Sequence, residues 1–261
     1  MKSAQILRSK ITSETLTMGM LVIDHYWHDV IEIAMNAGLD YLIIDQEHSA
    51  FSEERIAEGC SIGRRLDFPI LIRPRDAESA LVRRAADIGA CGFLLPRVES
   101  AAVLDEVRNG LYMPPRGARR PGGPGNRWIT DVQYPTWRDQ VENDFIVLPQ
   151  IENRRGLENV EEIARHPITT AIAVGPYDLS ADLGVCYDPT APVHVAALDR
   201  IRRAGRAAGK NMWMIGDGAT LMRQGYTFIC IGEPTLYLET QLKKAVADLR
   251  KKPDAIPAKP V

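Results

Sequence analysis

Eight short apolar runs alternate with segments of helical period along the chain, and this alternation restricts the fold more than any other feature. The runs fall at 17–23, 41–45, 69–73, 92–96, 145–151, 170–174, 211–215 and 226–231. Most are apolar throughout rather than at every second position. That is expected of strands covered on both faces, as in a parallel sheet. The spacing predicts helices over 29–38, 53–65, 76–89, 156–166 and 190–209, and a last one over 236–252. Ser52 stands before Glu53 and Glu54 as a cap with acids behind it, and Gly38, Gly89 and Gly209 stand at helix ends. Eight strand–helix units in 261 residues predict an α/β fold, a single (β/α)8 TIM barrel. The barrel is expected over 1–250, with a frayed tail over 251–261 that carries Pro253, Pro257 and Pro260. A doubly wound sheet is the other arrangement such a pattern allows. Its G-x-G-x-x-G marker does not follow the first run, and Gly216-Asp217-Gly218 after the seventh has Leu221 in the third slot.

Composition removes several function classes. Apolar residues make up 45% and charged residues 25%, as in globular proteins. The net charge of −2 gives no field to recruit nucleic acid or an anionic membrane. No apolar run reaches the length of a membrane span, and residues 1–17 lack the apolar stretch of a signal peptide. Cys60, Cys91, Cys186 and Cys230 form no C-x-x-C pair. They read as thiols of a reducing compartment, so a cytoplasmic protein is expected. One segment breaks the rhythm: residues 112–126, rich in Pro, Gly and Arg, form a long ordered loop, a mobile lid or a subunit contact.

In such a barrel the chemistry sits where the strands end. The second strand runs into Asp45-Gln46-Glu47-His48, the third ends at Arg73-Pro74, the fifth runs into Gln150-Ile151-Glu152, and the sixth into Gly175-Pro176-Tyr177-Asp178. Charges such as Arg73 and Glu152, so close to buried strands, must be paired or bind something. Glu152 and Asp178 come from different strands and suit a hard divalent cation, Mg²⁺ or Mn²⁺; a pair of helix-capping acids is the plainer alternative. His48 lies three residues after Asp45, close enough for the carboxylate to fix its tautomer and raise its basicity. His25 and His28 flank the end of the first strand and remain candidates. No lysine occurs between Lys10 and Lys210, and Lys210 is at the wrong end of its strand. A Schiff-base aldolase or a pyridoxal-phosphate enzyme therefore has no lysine to use. No G-x-S-x-G elbow supports a serine hydrolase either.

Asp45-Gln46-Glu47-His48, Ile72-Arg73-Pro74, Asp87-Ile88-Gly89-Ala90, Pro114-Pro115-Arg116-Gly117-Ala118-Arg119, Gln150-Ile151-Glu152 and Gly175-Pro176-Tyr177-Asp178-Leu179-Ser180 follow one another in this order. In that order they resemble the HpcH/HpaI family of metal-dependent pyruvate aldolases, which includes the 4-hydroxy-2-oxoheptanedioate aldolases. The resemblance implies a barrel of the phosphoenolpyruvate/pyruvate superfamily type, assembled as a homohexamer. It implies Glu152 and Asp178 as ligands of a divalent cation (Mg²⁺ or Mn²⁺, with Co²⁺ or Zn²⁺ possible). It implies Arg73 at the enolate oxygen, His48 with Asp45 as the acid/base dyad, Gln150 lining the pyruvate pocket, and the Gly175-Pro176 backbone holding the pyruvate carboxylate. The implied reaction is reversible cleavage of a 4-hydroxy-2-oxo acid into pyruvate and an aldehyde. Another lyase, a decarboxylase or a hydrolase acting on a different 2-oxo acid would use the same site. The implied partners are small molecules and other copies of the chain, with no nucleic acid and no membrane. The sequence departs from the family pattern at Gln46, Arg97, Arg120 and Glu233-Pro234, none of them a proposed ligand or the base, and several of them expected at the pocket or loop that meets the aldehyde half.

Overall fold

A computed structural model describes residues 1–130 and 133–250. The strands follow the expected runs, some of them trimmed at the ends. They are β1 (Thr17–Val22), β2 (Tyr41–Asp45), β3 (Ile70–Arg73), β4 (Gly92–Leu95), β5 (Ile146–Ile151), β6 (Ala171–Val174), β7 (Asn211–Ile215) and β8 (Phe228–Cys230). Each pairs in parallel with the next, and β8 pairs with β1 through Met18 and Ile229, closing a barrel in chain order. The (β/α)8 expectation is met. Every residue of β2 to β6 is buried, which is why these runs are apolar on both faces.

The helices are α1 (Lys2–Thr12), α2 (Asp29–Asn36), α3 (Glu53–Arg65), α4 (Ser79–Ile88), α5 (Ala101–Leu111), α6 (Tyr134–Gln140), α7 (Arg154–Glu158), α8 (Val160–Arg165), α9 (Pro176–Asp182), α10 (Pro192–Ala207), α11 (Gly218–Arg223) and α12 (Pro234–Arg250). Ser52 caps α3 by accepting from the Arg55 amide, as its position predicts. The helix expected over 156–166 is instead two, α7 and α8, broken at Asn159. The Asn159 backbone leaves helical geometry at φ −100° and ψ 11°, and its side-chain amide donates to the Glu99 carbonyl at 2.8 Å, which ties the junction to the segment after β4. α10 starts at Pro192 rather than at 190, because the fixed φ of proline suits a first helical position. Asp217 caps α11 by accepting from the Thr220 amide at 2.9 Å, so the Gly216-Asp217-Gly218 turn is a helix start and not a nucleotide fingerprint. The tail expected over 251–261 lies outside the described residues.

Two features set which end of the barrel is free. α1 buries Ala4, Leu7 and Ile11 against the ends where strands begin, and Asn211 at the start of β7 donates to the Ile11 carbonyl. The 112–126 segment also lies at that end, since it follows α5 and leads to β5. Its Arg119 is buried on Asp87 at 3.0 Å beneath the Trp137 ring, and Arg116 pairs with Glu142 just before β5. It is therefore an ordered, packed loop on the far side of the barrel from the strand ends, and not a lid over them. Within the barrel, Trp213 Nε1 donates to the Tyr41 hydroxyl, which donates to the Ile229 carbonyl, both at 2.8 Å. A side chain at Gly19 would meet the Tyr41 ring at 2.4 Å, so β1 needs glycine there.

Three cysteines, Cys60, Cys91 and Cys230, are buried and Cys186 is exposed. Burial pushes the thiols of Cys91 and Cys230 up to about 12 and that of Cys60 higher still. Thiolates are the reactive form. One thiol in four should therefore react with an aromatic disulfide reagent in the native protein, and the other three only on unfolding. Two or more fast thiols in a titration of native protein would contradict this packing.

α12 differs from the other helices. None of its residues is buried, and Leu236, Leu238, Leu242 and Leu249 are exposed. A cavity of about 520 Å³ lies between it and the barrel wall, lined by Met18, Trp27, Ile33 and Leu39 among others. Among the described residues no helix is long and apolar enough to cross a membrane.

Candidate active site

The strand ends opposite α1 gather the charged residues singled out above. Arg73, the last residue of β3, sits beside Asp45, the last of β2, because the two strands pair in register there. Arg73 Nε donates to Asp45 Oδ1 at 2.6 Å, and Arg73 Nη1 lies 3.2 Å from Glu47 Oε2. Arg73 and Asp45 are buried. The carboxylates around Arg73 hold its guanidinium above its ordinary range despite burial, which acts in the opposite direction.

Asp45 does not pair with the imidazole of His48. Its Oδ2 accepts from the His48 backbone amide at 3.0 Å and its Oδ1 from the Glu47 amide at 3.1 Å. Its carboxylate thus shapes the turn that leaves β2 and anchors Arg73. The acid nearest the exposed His48 ring is Glu47, with Oε2 3.6 Å from Nε2. Sequence reading passed over Glu47. The available signal was its place between an acid and a histidine at a strand end. Its carboxylate is pushed up by burial and by the nearby charges of Asp45 and Asp178, against the pull of Arg73 and His48.

Glu152 follows β5 and is buried. Its Oε2 accepts from the Arg97 amide at 2.9 Å, a contact that holds Arg97 at φ 51° and that sequence gave no means to foresee. Burial first, then the charges of Glu47 and Asp178, push the Glu152 carboxyl up to about 8. Asp178, exposed in the first turn of α9, faces the same cluster. Gln150 is buried with no partner for its Oε1. A side chain at Gly175 would lie 2.4 Å from Glu152 Oε1 and 2.8 Å from Gln150 Nε2, so glycine there leaves room for both. The Gly175 amide already donates to the Ile151 carbonyl, and Pro176 has no amide hydrogen. The Gly175-Pro176 backbone therefore offers space rather than donors. His28 pairs with Glu58 at 3.0 Å and His25 stacks on Trp27, so neither joins the cluster.

A divalent cation fits this arrangement. Among the described residues no three His, Cys, Asp or Glu side chains form a ready metal cage. Two oxygen donors, Glu152 and Asp178, are what a hard cation that keeps water or substrate ligands uses. Burial pushes the Glu152 and Glu47 carboxyls up, and the neighbouring carboxylates add to the push, so a cation there would be favoured by both.

Comparisons with known proteins place the chain in a family. The family model for HpcH/HpaI aldolase/citrate lyase matches residues 20–235. A hydroxypyruvate/pyruvate aldolase of Pseudomonas aeruginosa is 32% identical over 224 residues, covering 82% of this chain and 81% of that protein. A 2-keto-3-deoxy-L-rhamnonate aldolase of Shigella boydii serotype 4 is 28% identical over 220 residues, covering 83% of this chain and 82% of that one. The crystal structure of an HpcH/HpaI aldolase from Desulfitobacterium hafniense DCB-2 superposes with a TM-score of 0.87 at 27% identity, over 95% of this chain and 98% of that one. The chain belongs to the HpcH/HpaI aldolase/citrate lyase family, as an aldolase-type enzyme that cleaves carbon–carbon bonds.

Proposed function

We propose that this chain is a class II, divalent-metal-dependent aldolase that splits a 4-hydroxy-2-oxo acid into pyruvate and an aldehyde, reversibly. The observation that carries the reading is the group of carboxylates, Glu47, Glu152 and Asp178, gathered around one buried arginine at the open end of the barrel. Like charges so placed are unfavourable alone and favourable around a cation. Glu152 and Asp178 would hold Mg²⁺ or Mn²⁺, or alternatively Co²⁺ or Zn²⁺. Bound there, the cation supplies Lewis-acid polarisation of the substrate's carboxylate and 2-oxo oxygens.

The chain's own residues do the rest. Two nitrogens of Arg73 are taken by Asp45 and Glu47, and Nη2 makes no hydrogen bond to another described residue. That edge donates to the 2-oxo oxygen as negative charge develops on it. Asp45 fixes the guanidinium, so no reorganisation is needed during the reaction. His48 Nε2 takes the proton of the C4 hydroxyl. The C3–C4 bond breaks, the aldehyde leaves, and the electron pair passes into the enolate. Glu47, 3.6 Å from the imidazole, balances its charge while it holds the proton. Return of a proton to C3 gives pyruvate. Gln150, Gly175 and Pro176 line the pyruvate half. The names of the pyruvate-acting relatives support this half of the substrate.

The test needs no knowledge of the aldehyde. With Mn²⁺ or Mg²⁺ the enzyme should exchange the methyl protons of pyruvate with D₂O, followed by NMR. Chelation, His48→Ala or Arg73→Ala should each remove the exchange. Protein with bound cation that leaves the methyl signal unchanged sinks the reading.

The same proposal includes a homo-oligomer, a hexamer by family resemblance, in the cytoplasm. The unburied apolar side chains of α12 and the apolar cavity beside it support self-association: another copy of this chain supplies surfaces of the same chemistry. Four cysteines without a disulfide and the lack of a membrane-crossing helix among the described residues support the compartment.

A further inference from the structure

The exposed arginines at the strand ends fall into two groups. Those after β5 are paired: Arg154 with Asp182, and Arg155 with Glu99, which also accepts from the Asn153 side-chain amide. Those after β3 and β4 are not. Arg75 stands two residues beyond Arg73, and Arg97 two residues beyond Leu95, the last residue of β4. Both are exposed, and neither guanidinium has an ion pair or hydrogen bond to another described residue. β3 and β4 pair through Leu71 with Gly92 and Ile72 with Phe93. Neighbouring strands lie about 4.8 Å apart, so the two free arginines leave the barrel from adjoining strand ends.

Arg97 stands nearer the chemistry. Its amide donates to Glu152 Oε2 at 2.9 Å, so its backbone touches the carboxylate that the proposed function gives to the cation. It also holds φ 51°, a left-handed conformation that is costly for arginine and free for glycine. A long cationic side chain kept on a strained backbone at an active-site rim points to a use for that side chain. The acids of the rim do not supply it. Glu47 lies on Arg73, and Glu152 and Asp178 are the two that would hold the cation. Arg73 itself is buried on Asp45 and Glu47 and serves the 2-oxo end of the substrate. The free guanidinium of Arg97 is therefore left for a group at the other end.

We propose that Arg97, assisted by Arg75, sets specificity for the aldehyde half, and that the preferred aldehyde carries an anionic group at its far end. This role rests on the aldolase reading above. The cation and Arg73 hold the carboxylate and the 2-oxo oxygen, and C4 and the atoms after it extend from them toward the rim. There the fork of the Arg97 guanidinium meets two oxygens of the anionic group, a geometry that carboxylate and phosphate share. Arg97 does not touch the reacting atoms. It is a positioning residue that places the aldehyde carbon by holding its far end, and an uncharged aldehyde of the same length lacks that hold.

Condensation of pyruvate with two matched pairs of aldehydes, in the presence of Mn²⁺, tests this on the full chain. One pair is 4-oxobutanoate against butanal, the other glyceraldehyde 3-phosphate against glyceraldehyde. In at least one pair, kcat/KM for the anionic member should exceed that for the neutral one by about tenfold or more, the size of a hydrogen bond to a charged group, carried mainly by KM. The pair with the larger ratio tells carboxylate from phosphate. Arg97→Met should erase the preference, Arg97→Lys should keep part of it, and Arg97→Glu should reverse it. No preference in either pair, or a preference that survives Arg97→Glu, overturns the proposal. Exchange of the pyruvate methyl protons needs no aldehyde. Its absence in the parent protein marks failure of the aldolase reading, whereas exchange without an anionic preference marks failure of the role of Arg97 alone.

Discussion

Glu152→Gln lowers kcat/KM for aldol cleavage by about 10³-fold or more while the barrel stays folded. The glutamine keeps the size of the side chain and an oxygen for the Arg97 amide, which Glu152 Oε2 now accepts from at 2.9 Å. It removes the charge that would hold the cation. The variant should therefore lose Mn²⁺ affinity and activity together, and Asp178→Asn should do the same. Stability moves the other way. Glu152 is buried among carboxylates and titrates near 8 in the cation-free fold, against an ordinary 4.5. A raised carboxyl binds protons more strongly folded than unfolded, so its contribution becomes steadily more unfavourable as pH rises from 4.5 through 8. Cation-free Glu152→Gln should then match or exceed the parent in Tm at pH 8, with the difference shrinking toward pH 5. Thermal melts at the two pH values, with chelator, check the sign. A variant that melts well below the parent at pH 8 would show that Glu152 is a structural rather than a ligand-holding acid.

Arg73→Ala has the largest combined effect. It should cost about 3–5 kcal/mol of stability, because Asp45 is left buried with only two backbone amides. For a chain of this size that is about 10 °C in Tm. Activity should fall by about 10³-fold, since the donor at the developing enolate oxygen is gone. Arg73→Lys separates the two effects. One ammonium keeps the charge but cannot reach Asp45 and Glu47 with the fork geometry of a guanidinium. It should recover much of the stability and little of the rate. Adding Asp45→Asn to Arg73→Ala should cost less than the sum of the single changes, the mark of a direct pair in a double-mutant cycle. Additive losses would mean that the 2.6 Å contact carries no energy of its own.

The barrel was legible because its signals are local. A strand buried on both faces is apolar along its length, and β2 (YLIID) and β3 (ILIR) show this up to the charged residue that ends each of them. Helix ends were legible for the same reason at Ser52 and Gly89. The break at Asn159 was not; its side chain is tied to the Glu99 carbonyl, 60 residues away. The residues at the strand ends were also visible, because charge next to a buried strand requires an explanation. Their pairing was not. Spacing along the chain put Asp45 with His48, whereas the register of β2 against β3 put Asp45 with Arg73 and left Glu47 beside the imidazole.

The sequence by itself determined the alternation of buried strands and amphipathic helices, and hence a closed parallel barrel with its polar residues at one rim. Hydrophobic periodicity and capping act within a few residues, so they can be read in one dimension. Only the tertiary structure decided which acid meets which base and that 112–126 packs at the far end from the site. Those are contacts between strands and helices far apart in the chain. Their geometry follows from the register of neighbouring strands and the packing of helices on them, which no local pattern encodes.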